Sequence, residues 1–67
     1  MRMRIDLNGE VIRTQARTLA DLLIEQGFEA PCVATALNGD FIARSMRDAT
    51  RLDDGMKVEV LSPMQGG

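Results

Sequence analysis

Apolar and polar positions alternate at the start of the chain: Met3, Ile5 and Leu7 point one way, Arg2, Arg4 and Asp6 the other. A period of two is that of a β-strand with one buried and one wet face. Asn8-Gly9 follows, a pair whose residues both accept positive φ, so a tight turn is predicted, with Glu10 to Thr14 returning antiparallel. From Thr18 the period changes. Leu19, Leu22 and Leu23 stand at i, i+3 and i+4, Ile24 widens that face, and the stretch reads as a short amphipathic helix. Thr18 is placed to cap its first turn, with Asp21 three residues on, and Gly27 to end it in the left-handed conformation. Phe28, just past the stop, is expected to fold back and cap the core.

Pro31 breaks any continuation. Cys32 to Leu37 is apolar at nearly every position, as in a central strand covered on both faces. Asn38-Gly39 repeats the turn signal, and Phe41 and Ile42 begin a return strand. Arg44 to Leu52 reads as polar and irregular, and Asp54-Gly55 as another turn. Met56 to Leu61 is a last strand, with Met56, Val58 and Val60 inward against Lys57 and Glu59. Pro63 cannot donate to a ladder and ends it, leaving Met64-Gln65-Gly66-Gly67 with no apolar period to dock it. The expected organisation is one domain over residues 1–62 and a flexible tail over 63–67. Hairpin, helix, hairpin and closing strand describe an α+β fold, a mixed sheet of about five strands with one main helix packed across it. With the first and last strands as central parallel neighbours, this is the β-grasp, or ubiquitin-like, arrangement.

Composition narrows the chemistry. The 67 residues are 45% hydrophobic and 27% charged, enough to fold one modest core and no second domain. One cysteine precludes an internal disulfide, and the absence of histidine makes a metal site or a nucleophile triad a poor fit. No glycine-rich phosphate loop precedes the helix, so catalysis by the chain alone is not expected. Two aromatic residues and a net charge of -2 argue against a nucleic-acid partner. Asp6 interrupts any signal-peptide core and no segment reaches membrane-spanning length, so no membrane association and a cytoplasmic location are expected.

The unusual feature is the end. A Gly-Gly terminus has no side chains, so it can be threaded into a narrow channel and its carboxylate brought against a nucleotide phosphate. The pieces Leu7-Asn8-Gly9-Glu10, Thr18-Leu19-Ala20-Asp21-Leu22-Leu23, Val33-Ala34-Thr35-Ala36-Leu37-Asn38-Gly39, Leu52-Asp53-Asp54-Gly55 and Val58 to Gly67 span almost the whole chain in order. Together they resemble the ThiS family, the sulfur carriers of thiamin biosynthesis, most specifically in Pro63-Met64-Gln65-Gly66-Gly67. Met56 departs from the pattern, where the family often has Asp after Asp-Gly.

The resemblance implies a carrier rather than an enzyme. An E1-like adenylyltransferase of the ThiF type would use ATP and Mg²⁺ to activate the Gly67 carboxylate. Sulfur from a cysteine desulfurase would then make a thiocarboxylate, and a thiazole synthase of the ThiG type would accept it. No cofactor would be stably bound. Gly66 and Gly67 would supply reach and chemistry, and Pro63, Met64 and Gln65 would hold the tail in the partner channel. The small subunit of molybdopterin synthase and a protein-conjugating ubiquitin-like modifier share the tail chemistry and stand as alternatives.

Other residues read more plainly. Cys32, alone in an apolar strand, reads as a small core residue, and Arg44 as a solvated side chain. Met3 and Met56 fit inward positions, while Met64 is the interface methionine. A sheet with one helix leaves its other face uncovered, and apolar residues there are expected to form a docking patch beside the tail.

Overall fold

The first hairpin forms where the alternation and the turn place it. In the computed structural model, which describes residues 2–62, β1 (Met3–Leu7) and β2 (Glu10–Thr14) pair antiparallel with Ile5 opposite Ile12. Asn8 and Gly9 both have positive φ, 52° and 86°, the geometry that suits the twist of a two-residue hairpin. Helix α1 (Leu19–Gln26) follows. The Thr18 hydroxyl accepts from the Asp21 amide at 3.1 Å, and Gly27, at φ 82°, closes the other end. Phe28 donates its amide to Leu23 O, and its side chain packs on the edge of the core.

Three more strands complete the sheet: β3 (Ala34–Leu37), β4 (Asp40–Ile42) and β5 (Lys57–Leu61). The order β2-β1-β5-β3-β4 puts β5 at the centre, parallel to β1 and antiparallel to β3. This is the β-grasp topology expected from the sequence. Leu19, Leu22 and Leu23 of α1 bury against Ile5, Leu7, Val58 and Val60, with Leu52 and Ala16 closing the rim. Met3 and Met56 are half-buried against this core. Ile24 does not join it. The residue is 75% exposed, because a short helix lying on one sheet buries only a narrow stripe and Ile24 falls beyond its flank.

The apolar run from Cys32 is not all strand. Ala30–Cys32 forms a 3₁₀ turn with Pro31 at its start, and the Cys32 amide donates to Glu29 O at 2.8 Å. Pro31 is the second residue of the turn, where its fixed φ fits and no donor is required, so β3 begins later, at Ala34. Nor is β3 covered on both sides: Thr35 is buried while Ala34 is exposed. Cys32 is exposed as well, its Sγ 3.8 Å from Glu29 Oε1, and is not the core residue that the pattern suggested.

The segment read as irregular is ordered. Arg44–Ala49 is a 3₁₀ helix, and it buries Arg47 to 4% exposure. The Arg47 guanidinium donates from Nε to Thr35 Oγ1 at 3.1 Å, from Nη1 to Ala30 O at 2.9 Å and from Nη2 to Val33 O at 2.7 Å. Thr35 Oγ1 donates onward to Ile42 O at 3.0 Å. One side chain thus ties the 3₁₀ helix to the Pro31 turn, to β3 and, through Thr35, to β4. Burial, and then the neighbouring Arg44 charge, lower its pKa from the usual guanidinium value, but arginine starts so high that it stays protonated.

The Asn-Gly turns also hold β5 in place. The Asn8 amide donates to Val58 O at 2.9 Å, and beyond that point β1 has turned away. The Asn8 side chain makes the next rung instead: Val60 N donates to Oδ1 at 2.8 Å and Nδ2 donates to Val60 O at 3.2 Å. On the other side, Lys57 N donates to Asn38 Oδ1 at 3.0 Å and Asn38 N to Lys57 O at 2.7 Å. Asn8→Asp keeps the size and turn preference but replaces the Nδ2 donor with an oxygen facing Val60 O. The expected cost at neutral pH is about 1–2 kcal/mol, read as a lower urea midpoint with an unchanged slope.

Candidate functional site

Successive side chains of a strand alternate between faces, so Lys57, Glu59 and Leu61 of β5 point away from α1. Register brings their neighbours to the same side: Ala34 lies opposite Leu61, and Ala36 lies between Glu59 and Phe41. Ala34, Ala36, Phe41 and Leu61 therefore gather on the open face where β5 ends. Phe41 is 72% and Leu61 70% exposed. With Asn8 and Glu59 they border a shallow groove of about 360 Å³. Scattered exposed apolar residues are ordinary, but two large ones clustered with two alanines beside a central strand make this the candidate contact surface.

The residues assigned to carrier chemistry, Pro63, Met64, Gln65, Gly66 and Gly67, lie outside the described residues, as does the proposed boundary between domain and tail. What the structure fixes is their point of departure. β5 is held by β1 and β3 on its two sides, by the Asn8 clasp at Val60, and it ends at Leu61 within the apolar patch. Arg44, read as solvated, is exposed, with Nη1 3.5 Å from Pro31 O.

Two patch residues carried an unread signal. Leu61 continues the outward register of Lys57 and Glu59 and is apolar where the alternation calls for polar, and Phe41 follows the Asn-Gly turn on the wet side of an edge strand. Among the described residues, no three His, Cys, Asp or Glu side chains converge as metal ligands, and no helix is long and apolar enough to cross a membrane.

A five-stranded mixed sheet with one helix across it and a central last strand define a ubiquitin-like β-grasp protein. The chain belongs to the ThiS family: the family's sequence model matches residues 4–67. The sulfur carrier protein ThiS of Thermus thermophilus is 42% identical to it over 62 residues, covering 91% of this chain and 95% of that one. The crystal structure of the thiamine biosynthesis protein ThiS from Geobacter metallireducens superposes with a TM-score of 0.82 at 33% identity, covering 97% of this chain and all of the other. A solution structure of a thiamine biosynthesis protein from the same organism gives 0.80 at 32% identity, covering 97% and 88%.

Proposed function

We propose that this chain is a sulfur carrier of thiamin biosynthesis whose working group is the carboxylate of its last residue, Gly67. The observation that supports this most is that the match to the ThiS family extends from residue 4, in the first strand, to residue 67. The fold is consistent with a carrier: an apolar groove lies where β5 ends at Leu61, and a partner handling the terminus would seat there. The relatives are named for thiamin biosynthesis, which favours this role over that of a molybdopterin synthase subunit or a protein modifier.

The Gly67 carboxylate attacks the α-phosphorus of ATP on an E1-like adenylyltransferase, forming an acyl-adenylate and releasing pyrophosphate, with Mg²⁺ bound to the nucleotide on the enzyme. A persulfide charged by a cysteine desulfurase attacks the acyl carbon through its terminal sulfur and AMP leaves. A thiol then reduces the resulting acyl disulfide, freeing a thiocarboxylate that a thiazole synthase consumes. Pro63, Met64, Gln65 and Gly66 lie in the partner channel during these steps. All of them take place in the cytoplasm.

The chain contributes positioning. Two glycines remove side-chain bulk at the reacting end, and Asn8 and the paired strands keep the departure point fixed relative to the apolar patch. Deleting Gly67 is expected to abolish ATP-dependent pyrophosphate release by the adenylyltransferase, while the circular dichroism spectrum and melting temperature stay at wild-type values. Undiminished pyrophosphate release from the shortened chain would exclude Gly67 as the activated residue.

A further inference from the structure

The open face carries a second feature, at the corner diagonal to the apolar groove. Antiparallel pairing sets Arg4 directly opposite Arg13, and alternation puts Arg2 on the same face. All three are exposed. Two nearby carboxylates are engaged by the main chain: Asp6 Oδ1 accepts from the Gly9 amide at 2.8 Å and Asp54 Oδ1 from the Arg4 amide at 2.7 Å. Lys57, opposite Asp6 on β5, adds a further positive charge. Among the described residues, none forms an ion pair or a hydrogen bond with the Arg2, Arg4 or Arg13 guanidinium. Like charges directly opposite on neighbouring strands are destabilising, and the chain as a whole carries a net charge of -2. With Asp6 and Asp54 as its nearby carboxylates, the corner gathers more positive than negative groups on a chain that is negative overall.

Building on the carrier function above, we infer that Arg2, Arg4 and Arg13 receive acidic side chains of the adenylating enzyme. The open face is then a two-part docking surface, apolar beside the tail and basic at the opposite corner. Extent is one reason. A standard interface takes about 800 Å² and roughly 20–30 residues from each partner, far more than four apolar residues and a short tail provide. A partner seated on the groove has to continue across β5 and β1 toward β2. Chemistry is the other reason: each guanidinium can match a carboxylate through two parallel hydrogen bonds, which a partner's acids would supply and no described carboxylate does. Such contacts speed encounter and fix orientation, which a featureless apolar groove does poorly.

The test compares wild type, the double variant Arg4→Gln with Arg13→Gln, and Arg44→Gln as an off-face control, as substrates of the adenylyltransferase over a range of NaCl concentrations. The double variant should lose roughly tenfold in kcat/KM at low salt with kcat unchanged, and its salt dependence should flatten. It should melt at or above the wild-type temperature, since a repulsive pair has been removed. Arg44→Gln should behave as wild type. Unchanged kcat/KM and salt dependence in the double variant would overturn the inference, as would a lowered melting temperature that accounts for the loss. Unchanged adenylation with loss of binding to phosphatidylglycerol vesicles would assign the corner to a lipid surface instead. If wild type itself were not adenylated by an active enzyme, the carrier function would fall first and this inference with it.

Discussion

Arg47→Ala is expected to destabilise the protein by about 3 kcal/mol, because it strips three donors from a buried network and leaves a void. Ala30 O and Val33 O lose charge-assisted hydrogen bonds, and Thr35 Oγ1 loses the guanidinium that it accepts from. For a chain of 67 residues, total stability is on the order of 3–10 kcal/mol, so the variant loses from about a third to nearly all of it. Arg47→Lys keeps a charge but presents one ammonium to three acceptors lying in different directions. It should recover only part of the loss, at a cost of about 1–2 kcal/mol relative to wild type. Urea denaturation followed by circular dichroism gives both values. Wild-type stability for Arg47→Ala would mean that the three acceptors are served by water and that the staple is dispensable.

Phe41→Asp combined with Leu61→Asp should leave the fold intact and suppress adenylation roughly 100-fold or more. Both side chains are about seven-tenths exposed, so their removal opens no cavity. Each would instead place a carboxylate in a surface that a partner has to desolvate, and central apolar anchors of an interface are typically worth 2 kcal/mol or more each. Steady-state pyrophosphate release should show the loss mainly in KM, with an amide spectrum that shifts only around the substituted strands. Normal adenylation kinetics would remove the patch from the docking surface. Val11, also exposed on this face but on the far edge strand β2, should tolerate the same change better.

The strands, the helix and both Asn-Gly turns were legible because each is set by local periodicity and by turn residues with few alternatives. Thr18 and Gly27 even fixed the ends of α1. The parallel pairing of β1 with β5 followed from covering two hairpins with one helix. Arg47 was not legible, since a charge in a polar stretch reads as solvated. Only the convergence of Ala30 O, Val33 O and Thr35 Oγ1, brought together by the Pro31 turn and β3, makes its burial tolerable. Cys32 was misread for a related reason: hydrophobicity alone does not separate a strand from a short turn, and proline decided the matter. The apolar patch on the open face was legible as a face without residues. Register, which sequence leaves open, named them as Ala34, Ala36, Phe41 and Leu61.

The carrier chemistry of Gly67 is tested most directly by the intact mass of the full chain after incubation with the adenylyltransferase, ATP, Mg²⁺, a cysteine desulfurase, cysteine and a reducing thiol. The expected product is heavier by the difference between one sulfur and one oxygen atom, with fragmentation placing the change at Gly67, and it forms only when ATP is present. An unchanged mass with enzymes that thiolate another carrier in the same mixture would contradict the account.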